Sequence, residues 1–170
     1  MTVKMSLPLA TVIHNALRAE AKTLRREFTE HVQRILAEHA IHAGYVKPND
    51  AESLRLMWKL VEQAVEAAKA ICRNGQFTSA ITLASIQACK KDPEWLNGYR
   101  AFVQDDIYKN GNPLKGIINR EIGFRIRAGI GGKVVTDANG KHEIVKVLGE
   151  IIQSFTPMES FDPEAVQEVK

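Results

Sequence analysis

Apolar residues recur at steps of three and four over most of the first 130 positions, which is the period of an amphipathic helix. No glycine and no internal proline interrupts residues 8–43 after Pro8, so we predict one long helix there. The apolar residues of this helix form one stripe along it. The stripe either packs on the chain's own core or forms a coiled-coil seam with a second copy. Its members are Ile13, Leu17, Ala21, Leu24, Phe28, Val32, Ile35 and Leu36.

Four further helices are predicted from start and stop signals. Asn74-Gly75 is typical of a helix end, since both residues tolerate a left-handed backbone. Asp92-Pro93-Glu94 combines a cap, a proline at the first helical position and an acid in the first turn, and Asn112-Pro113 repeats the first two signals. The predicted helices cover about residues 50–73, 78–90, 93–108 and 114–128.

The pattern changes after glycines 129, 131 and 132. Lys133–Thr136 is predicted to be a strand, and Asp137–Gly140 is predicted to be a hairpin turn because Asn and Gly accept positive φ. Residues from 141 onward fit two interpretations. We favour a short return strand that runs into a helix at about 146–154, over a single helix from about 141.

These elements predict a mainly α fold, a bundle of five to six helices with a long N-terminal helix and one small β-hairpin near the C-terminus. Residues 1–156 are interpreted as a single helical domain, with residues 111–147 as its basic helix and hairpin. Residues 157–170 carry four acids around Pro163, so an acidic flexible tail is expected.

Composition places the chain among ordinary soluble proteins. Of its 170 residues, 45% are hydrophobic and 25% are charged. No apolar run is long enough to cross a membrane, and no signal peptide is recognised. Cys72 and Cys89 lie in helical patterns without a CxxC partner, which favours reduced packing cysteines and a cytoplasmic location.

Motifs for catalysis are missing from the sequence. Gly129–Lys133 resembles a phosphate loop in composition only, because it follows a helix rather than a strand and Val134 stands where Ser or Thr is required. The histidines lack metal-ligand spacing, and no nucleophile has a base at motif spacing. We therefore predict a protein that is not an enzyme, with no catalytic residues, no metal ligands and no cofactor.

Charge is uneven along the chain. The net charge is +3, but residues 109–133 alone hold six basic side chains and one acidic one. Gly116 and Gly123 are two helical turns apart and share the polar face of the fifth helix, which suggests that something approaches its backbone closely. A basic helix followed by a basic hairpin is the order of a winged helix-turn-helix.

The favoured function is a non-enzymatic nucleic-acid-binding or regulatory protein, with DNA preferred over RNA. The alternative is a helical protein–protein adaptor or assembly subunit that uses the same face. A homodimer through the N-terminal helix is expected in addition. The predicted nucleic-acid-binding residues are Lys115, Asn119, Arg120, Arg127, Lys133 and Lys141.

Overall fold

The computed structural model describes residues 6–24 and 26–167, and the chain divides into two compact units, Met1–Val46 and Lys47–Lys170. The described residues form six helices and four short strands in antiparallel pairs. The predicted class, mainly α with five to six helices and a small antiparallel sheet near the C-terminus, is confirmed. Every helix within the described ranges is too short or too polar to cross a lipid bilayer.

The N-terminal unit holds two helices, α1 (Thr11–Thr23) and α2 (Phe28–His42), where the sequence predicted one long helix. Glu27 adopts an extended backbone, and its carboxylate accepts a hydrogen bond from the Glu30 amide at 3.0 Å, which caps α2. The break in the predicted helix is explained by a tertiary contact. A break lets α2 pack on α1, with the Phe28 ring 4.9 Å from the His14 ring, and no local residue signals that choice.

The second unit is built around α3 (Pro48–Arg73), which contacts α4 (Ile81–Cys89), α5 (Pro93–Val103) and α6 (Pro113–Gly129). The two start signals act as predicted. The Asp92 carboxylate accepts from the Glu94 amide, and the Asn112 side chain accepts from the Lys115 amide. α5 ends before the predicted residue 108, because Gln104 takes a left-handed backbone with φ of 57°.

Four strands follow: β1 (Lys133–Val134), β2 (Val145–Lys146), β3 (Ser154–Phe155) and β4 (Met158–Ser160). β1 pairs with β4 and β2 pairs with β3, both antiparallel. The predicted turn at Asp137–Gly140 is present, closed by a bridge between Thr136 and His142. The predicted helix at 146–154 is wrong, because Gly149 turns the chain at φ of 72° into a loop that brings β3 back to β2.

The described part of the expected flexible tail is packed, which corrects that prediction as far as residue 167. β4 belongs to it, and Val166 is buried. The Phe161 ring lies 5.0 Å from the Phe77 ring, and Arg73 donates to the Val166 carbonyl at 3.1 Å. The acidic composition suggested a flexible tail, but apolar residues lie between the acids and face the core. Their burial removes enough apolar surface from water to order the segment.

Candidate nucleic-acid interface

A cleft of about 760 Å³ runs beside α6 within the second unit. Residues of α6 form one side, and residues between β1 and β4 form the other. The wall opposite α6 is mostly apolar, with one histidine and several small polar groups. It comprises Val134, His142, Ile144, Ile152, Gln153, Ser154, Phe155, Thr156 and Met158.

The α6 side of the cleft carries alternating glycines and arginines at steps of four, three and four residues. This spacing places Gly116, Arg120, Gly123 and Arg127 on one helix face, which we call the open stripe. A Cβ atom added at Gly116 would meet nothing within 4 Å outside the helix backbone, and one at Gly123 would meet only the Thr82 methyl, at 4.0 Å. The helix backbone is therefore open to the cleft at both glycines.

Both arginines of the open stripe are exposed. Neither Arg120 nor Arg127 has an ion pair or side-chain hydrogen bond with any residue that the structure describes. The described residues that line the cleft include no Asp or Glu, while Lys115 and His142 add further basic groups. A cleft whose ionisable groups share one sign concentrates the positive field within it and favours an anionic occupant.

Two other predicted site residues line the cleft, but their polar groups are engaged inside the protein. Lys115 is 4% exposed, its Nζ donates to the Lys109 carbonyl at 3.0 Å, and burial lowers its pKa. Asn119 accepts from the Tyr99 hydroxyl at 2.7 Å and donates to the Ile151 carbonyl at 3.3 Å. Both side chains join elements together, which leaves Arg120 and Arg127 as the groups available to a ligand.

Lys133 lies in β1, which pairs with β4, and Lys141 lies in the short hairpin around the Asp137–Gly140 turn. Both side chains are exposed. Neither belongs to the residues that line the cleft. Lys141 follows the turn, where its amide donates to the Asp137 carboxylate at 2.9 Å. The fold thus brings together four of the six predicted residues and leaves Lys133 and Lys141 outside the cleft.

Sequence reasoning missed the apolar part of the cleft. Phe124 is 51% exposed and Ile144 is 69% exposed, and both line it. The Arg125 guanidinium lies 5.4 Å from the centre of the Phe124 ring, and Glu121 holds that guanidinium with a 2.6 Å hydrogen bond to Nε. Phe124 lies off the buried face of α6, which Ile118, Ile122 and Ile126 form, and this position was a usable signal in the sequence. The exposure of Ile144 depends instead on where the loop folds.

The wall opposite α6 is tied to the helices by side chains. Glu150 accepts from Lys90 at 2.9 Å and from Gln87 at 2.8 Å, and these hydrogen bonds lower the pKa of the Glu150 carboxyl. The Gln153 amide donates to the side chain of Asn110. Together with the bond between Asn119 and Ile151, these contacts set the width of the cleft without any ligand.

Groups suited to chemistry do not gather near the cleft. Among residues 6–24 and 26–167, no three His, Cys, Asp or Glu side chains come together in a way that could hold a metal ion. Both cysteines are free and buried, and burial raises the pKa of the Cys89 thiol to about 11. The groups that the cleft does present, the guanidinium groups of Arg120 and Arg127, are suited to binding an anion.

Comparisons of this chain with models of known families, with curated proteins and with solved structures gave no match. The interpretation of the cleft accordingly depends on its own residues: two exposed arginines, two open glycines and an apolar wall.

Proposed function

We propose that this protein binds nucleic acid in the cleft beside α6 and acts as a non-enzymatic binding or regulatory protein. The observation that carries the proposal is the open stripe, whose two arginines face a cleft without acidic lining among the described residues. A guanidinium donates two parallel hydrogen bonds to a phosphate, and this planar geometry is the reason arginine recurs at phosphate-binding surfaces.

The glycines of the open stripe support the same proposal. Each glycine inside a helix costs about 1 kcal/mol relative to alanine. Nothing in the described chain fills the space that a Cβ at Gly116 would occupy, so internal packing does not explain that cost. A sugar-phosphate backbone running along the open stripe from Gly116 to Arg127 would use this space, because it could approach the helix backbone directly.

The decisive experiment compares two double variants that each remove two positive charges. Arg120→Ala with Arg127→Ala changes the cleft, whereas Lys91→Ala with Arg100→Ala changes exposed residues outside its lining. Each charge-assisted contact contributes about 1.5–3 kcal/mol, so we expect the cleft variant, which loses two, to bind at least roughly 100-fold more weakly. Fluorescence anisotropy with labelled mixed-sequence oligonucleotides at about 50 mM salt measures it.

The control variant should stay close to wild type. Equal losses in the two variants would mean that net charge, and not the cleft, attracts the nucleic acid. The slope of log affinity against log salt adds a second measurement, since loss of two phosphate contacts should reduce it by about 1.4 for a single strand or about 1.8 for a duplex.

The alternative function, a helical adaptor or assembly subunit with a homodimer seam, is favoured by one observation in the N-terminal unit. Only Ala21 and His31 are buried among its described residues, while Val12 is 73% exposed and Ile13 is 48% exposed. A two-helix unit with so little core commonly depends on a partner. A second copy would cover this apolar surface.

Light scattering after size exclusion tests the alternative. Ile13→Glu should convert a dimer to a monomer, because it places a charge in the apolar stripe predicted to form the seam. Gln33→Glu adds the same charge at an exposed polar position of α2 and should leave the mass unchanged. A monomeric wild-type protein would refute the seam, and a large oligomer that binds no nucleic acid at low salt would favour the adaptor.

A further inference from the structure

The shape of the cleft distinguishes between two forms of nucleic acid. We propose that the cleft takes an extended single strand, with its phosphates on the open stripe and a base stacked on Phe124, and that it excludes a duplex. This inference depends on the proposed nucleic-acid binding and adds the form of the ligand.

The first argument is steric. A helix that reads duplex DNA enters a major groove about 12 Å wide, and a helix with its side chains is itself about 10–12 Å across. A recognition helix must therefore stand clear of the rest of its protein. The exposed face of α6 instead looks onto a wall that includes Ile144 and Phe155. This wall would collide with the duplex before α6 reached the groove floor.

The second argument concerns the groups that read base edges. Asparagine recognises adenine with both atoms of its amide, and lysine recognises guanine with its ammonium group. On α6 these groups are already used, by Tyr99 and Ile151 for Asn119 and by the Lys109 carbonyl for Lys115. Only Arg120 and Arg127 remain to the ligand, and arginine binds phosphate as well as guanine. The face of α6 therefore keeps the groups for phosphate binding and loses most of those used for groove readout.

The third argument is the apolar surface beside the arginines. Phe124 lies four residues after Arg120 and three before Arg127, so the three side chains project from one side of α6 over a rise of about 10 Å. The Arg125 guanidinium lies over the Phe124 ring, but the Phe124 side chain is still about half exposed. A basic groove with an exposed aromatic ring is the common design of single-strand binding sites, because bases stack without regard to sequence. A duplex offers no free base face.

The test measures binding of the full chain to one mixed-sequence 12-nucleotide oligomer as a single strand and as a duplex, each in DNA and RNA form. We expect the single strands to bind at least tenfold more tightly than the duplexes. Duplex binding equal to or tighter than single-strand binding would overturn this inference while supporting the proposed function. Absence of binding to all four ligands would overturn the proposed function itself.

Variants of Phe124 test the stacking contact separately. Phe124→Ala should weaken single-strand binding about tenfold, whereas Phe124→Trp should retain it because the larger ring also stacks. Ile117→Ala is the control, since it removes an exposed apolar side chain of α6 outside the cleft lining. Equal affinities of Phe124→Ala and Ile117→Ala would overturn the stacking contact. Circular dichroism checks that each variant is folded.

Discussion

Two groups of glycines lie within one short segment of the chain, and their surroundings differ. Gly116 and Gly123 face open space on α6, where an added Cβ would meet no neighbouring side chain closer than 4.0 Å. At Gly129, Gly131 and Gly132 the same Cβ would come within 2.6 Å of a side-chain atom of Val65, Asp162 or Met158. The second group is explained by packing, and the first is not.

This difference separates stability from binding along the segment. Where neighbours crowd a glycine, a larger residue must displace packed atoms, and the cost falls on folding. Where a helical glycine faces a cleft, a larger residue should help folding and obstruct a ligand. Four predictions test this distinction, in order of the size of their expected effect on stability.

The largest effect is expected at Gly131, which has a φ of +58° and where an added Cβ would come within 2.6 Å of the Asp162 Cβ. Gly131→Ala should lower the free energy of unfolding by about 3 kcal/mol, from backbone strain and overpacking together. Gly140→Ala is the control, because Gly140 has a φ of +74° but open space around it, and it should cost only about 1–2 kcal/mol. Urea denaturation measures both. Equal losses would show that packing at Gly131 is unimportant.

A moderate effect is expected for Asn119→Ala, which leaves the buried Tyr99 hydroxyl without its acceptor. The free energy of unfolding should fall by about 2 kcal/mol. Tyr99→Phe in the same background should recover part of this loss, because the orphaned hydroxyl is gone. Nucleic-acid affinity of the folded Asn119→Ala protein should fall much less than that of the Arg120→Ala, Arg127→Ala variant, because Asn119 acts only through the wall that it holds. An equal loss of affinity would make Asn119 a ligand contact.

A smaller effect of opposite sign is expected on the open stripe. Gly116→Ala and Gly123→Ala should each raise the free energy of unfolding by up to about 1 kcal/mol, since alanine is the better helix former. Both should also weaken nucleic-acid binding, because the added methyl occupies the approach to the helix backbone. Thermal melting and anisotropy give the two values. A variant that gains stability without losing affinity would remove the glycines from the proposed interface.

The smallest effect concerns Glu150, which anchors the wall of the cleft to Lys90 and Gln87. Folding lowers the pKa of this carboxyl below its ordinary value of 4.5. Its contribution to stability is therefore complete above about pH 4.5 and is lost as the pH falls through the lowered pKa. Glu150→Gln should reduce the stability difference between pH 7 and pH 3 by about 0.3–1 kcal/mol. An unchanged pH profile would contradict this anchoring role.

The sequence predicted helices better than strands, for a physical reason visible at particular residues. Asp92 and Asn112 start α5 and α6 through hydrogen bonds to amides two and three residues away, so the signal is local. β1 pairs with β4, which lies some 25 residues later in the chain. β4 was not predicted to be a strand because its segment is rich in acidic residues. The break between α1 and α2 has no glycine or proline to mark it.

The candidate site divides in the same way. Periodicity alone placed Arg120, Arg127 and both glycines on one face of α6, because helical geometry fixes which residues share a face. That face holds the same four residues in the folded chain. The roles of Lys115 and Asn119 could not be predicted from the sequence. Lys115 donates to the Lys109 carbonyl, whose position depends on the left-handed turn that ends α5. Asn119 donates to a carbonyl in a loop 32 residues away.

By itself the sequence determined the class of fold, the starts of α5 and α6 and the composition of the open stripe. Capping, helical propensity and face periodicity all act over four residues or fewer, so a single sequence is enough to reveal them. Only the tertiary structure decided that the stripe lies in a cleft, opposite a wall carrying His142 and Ile144. That wall is held by contacts between distant residues, such as Lys90 with Glu150, and no local pattern encodes them.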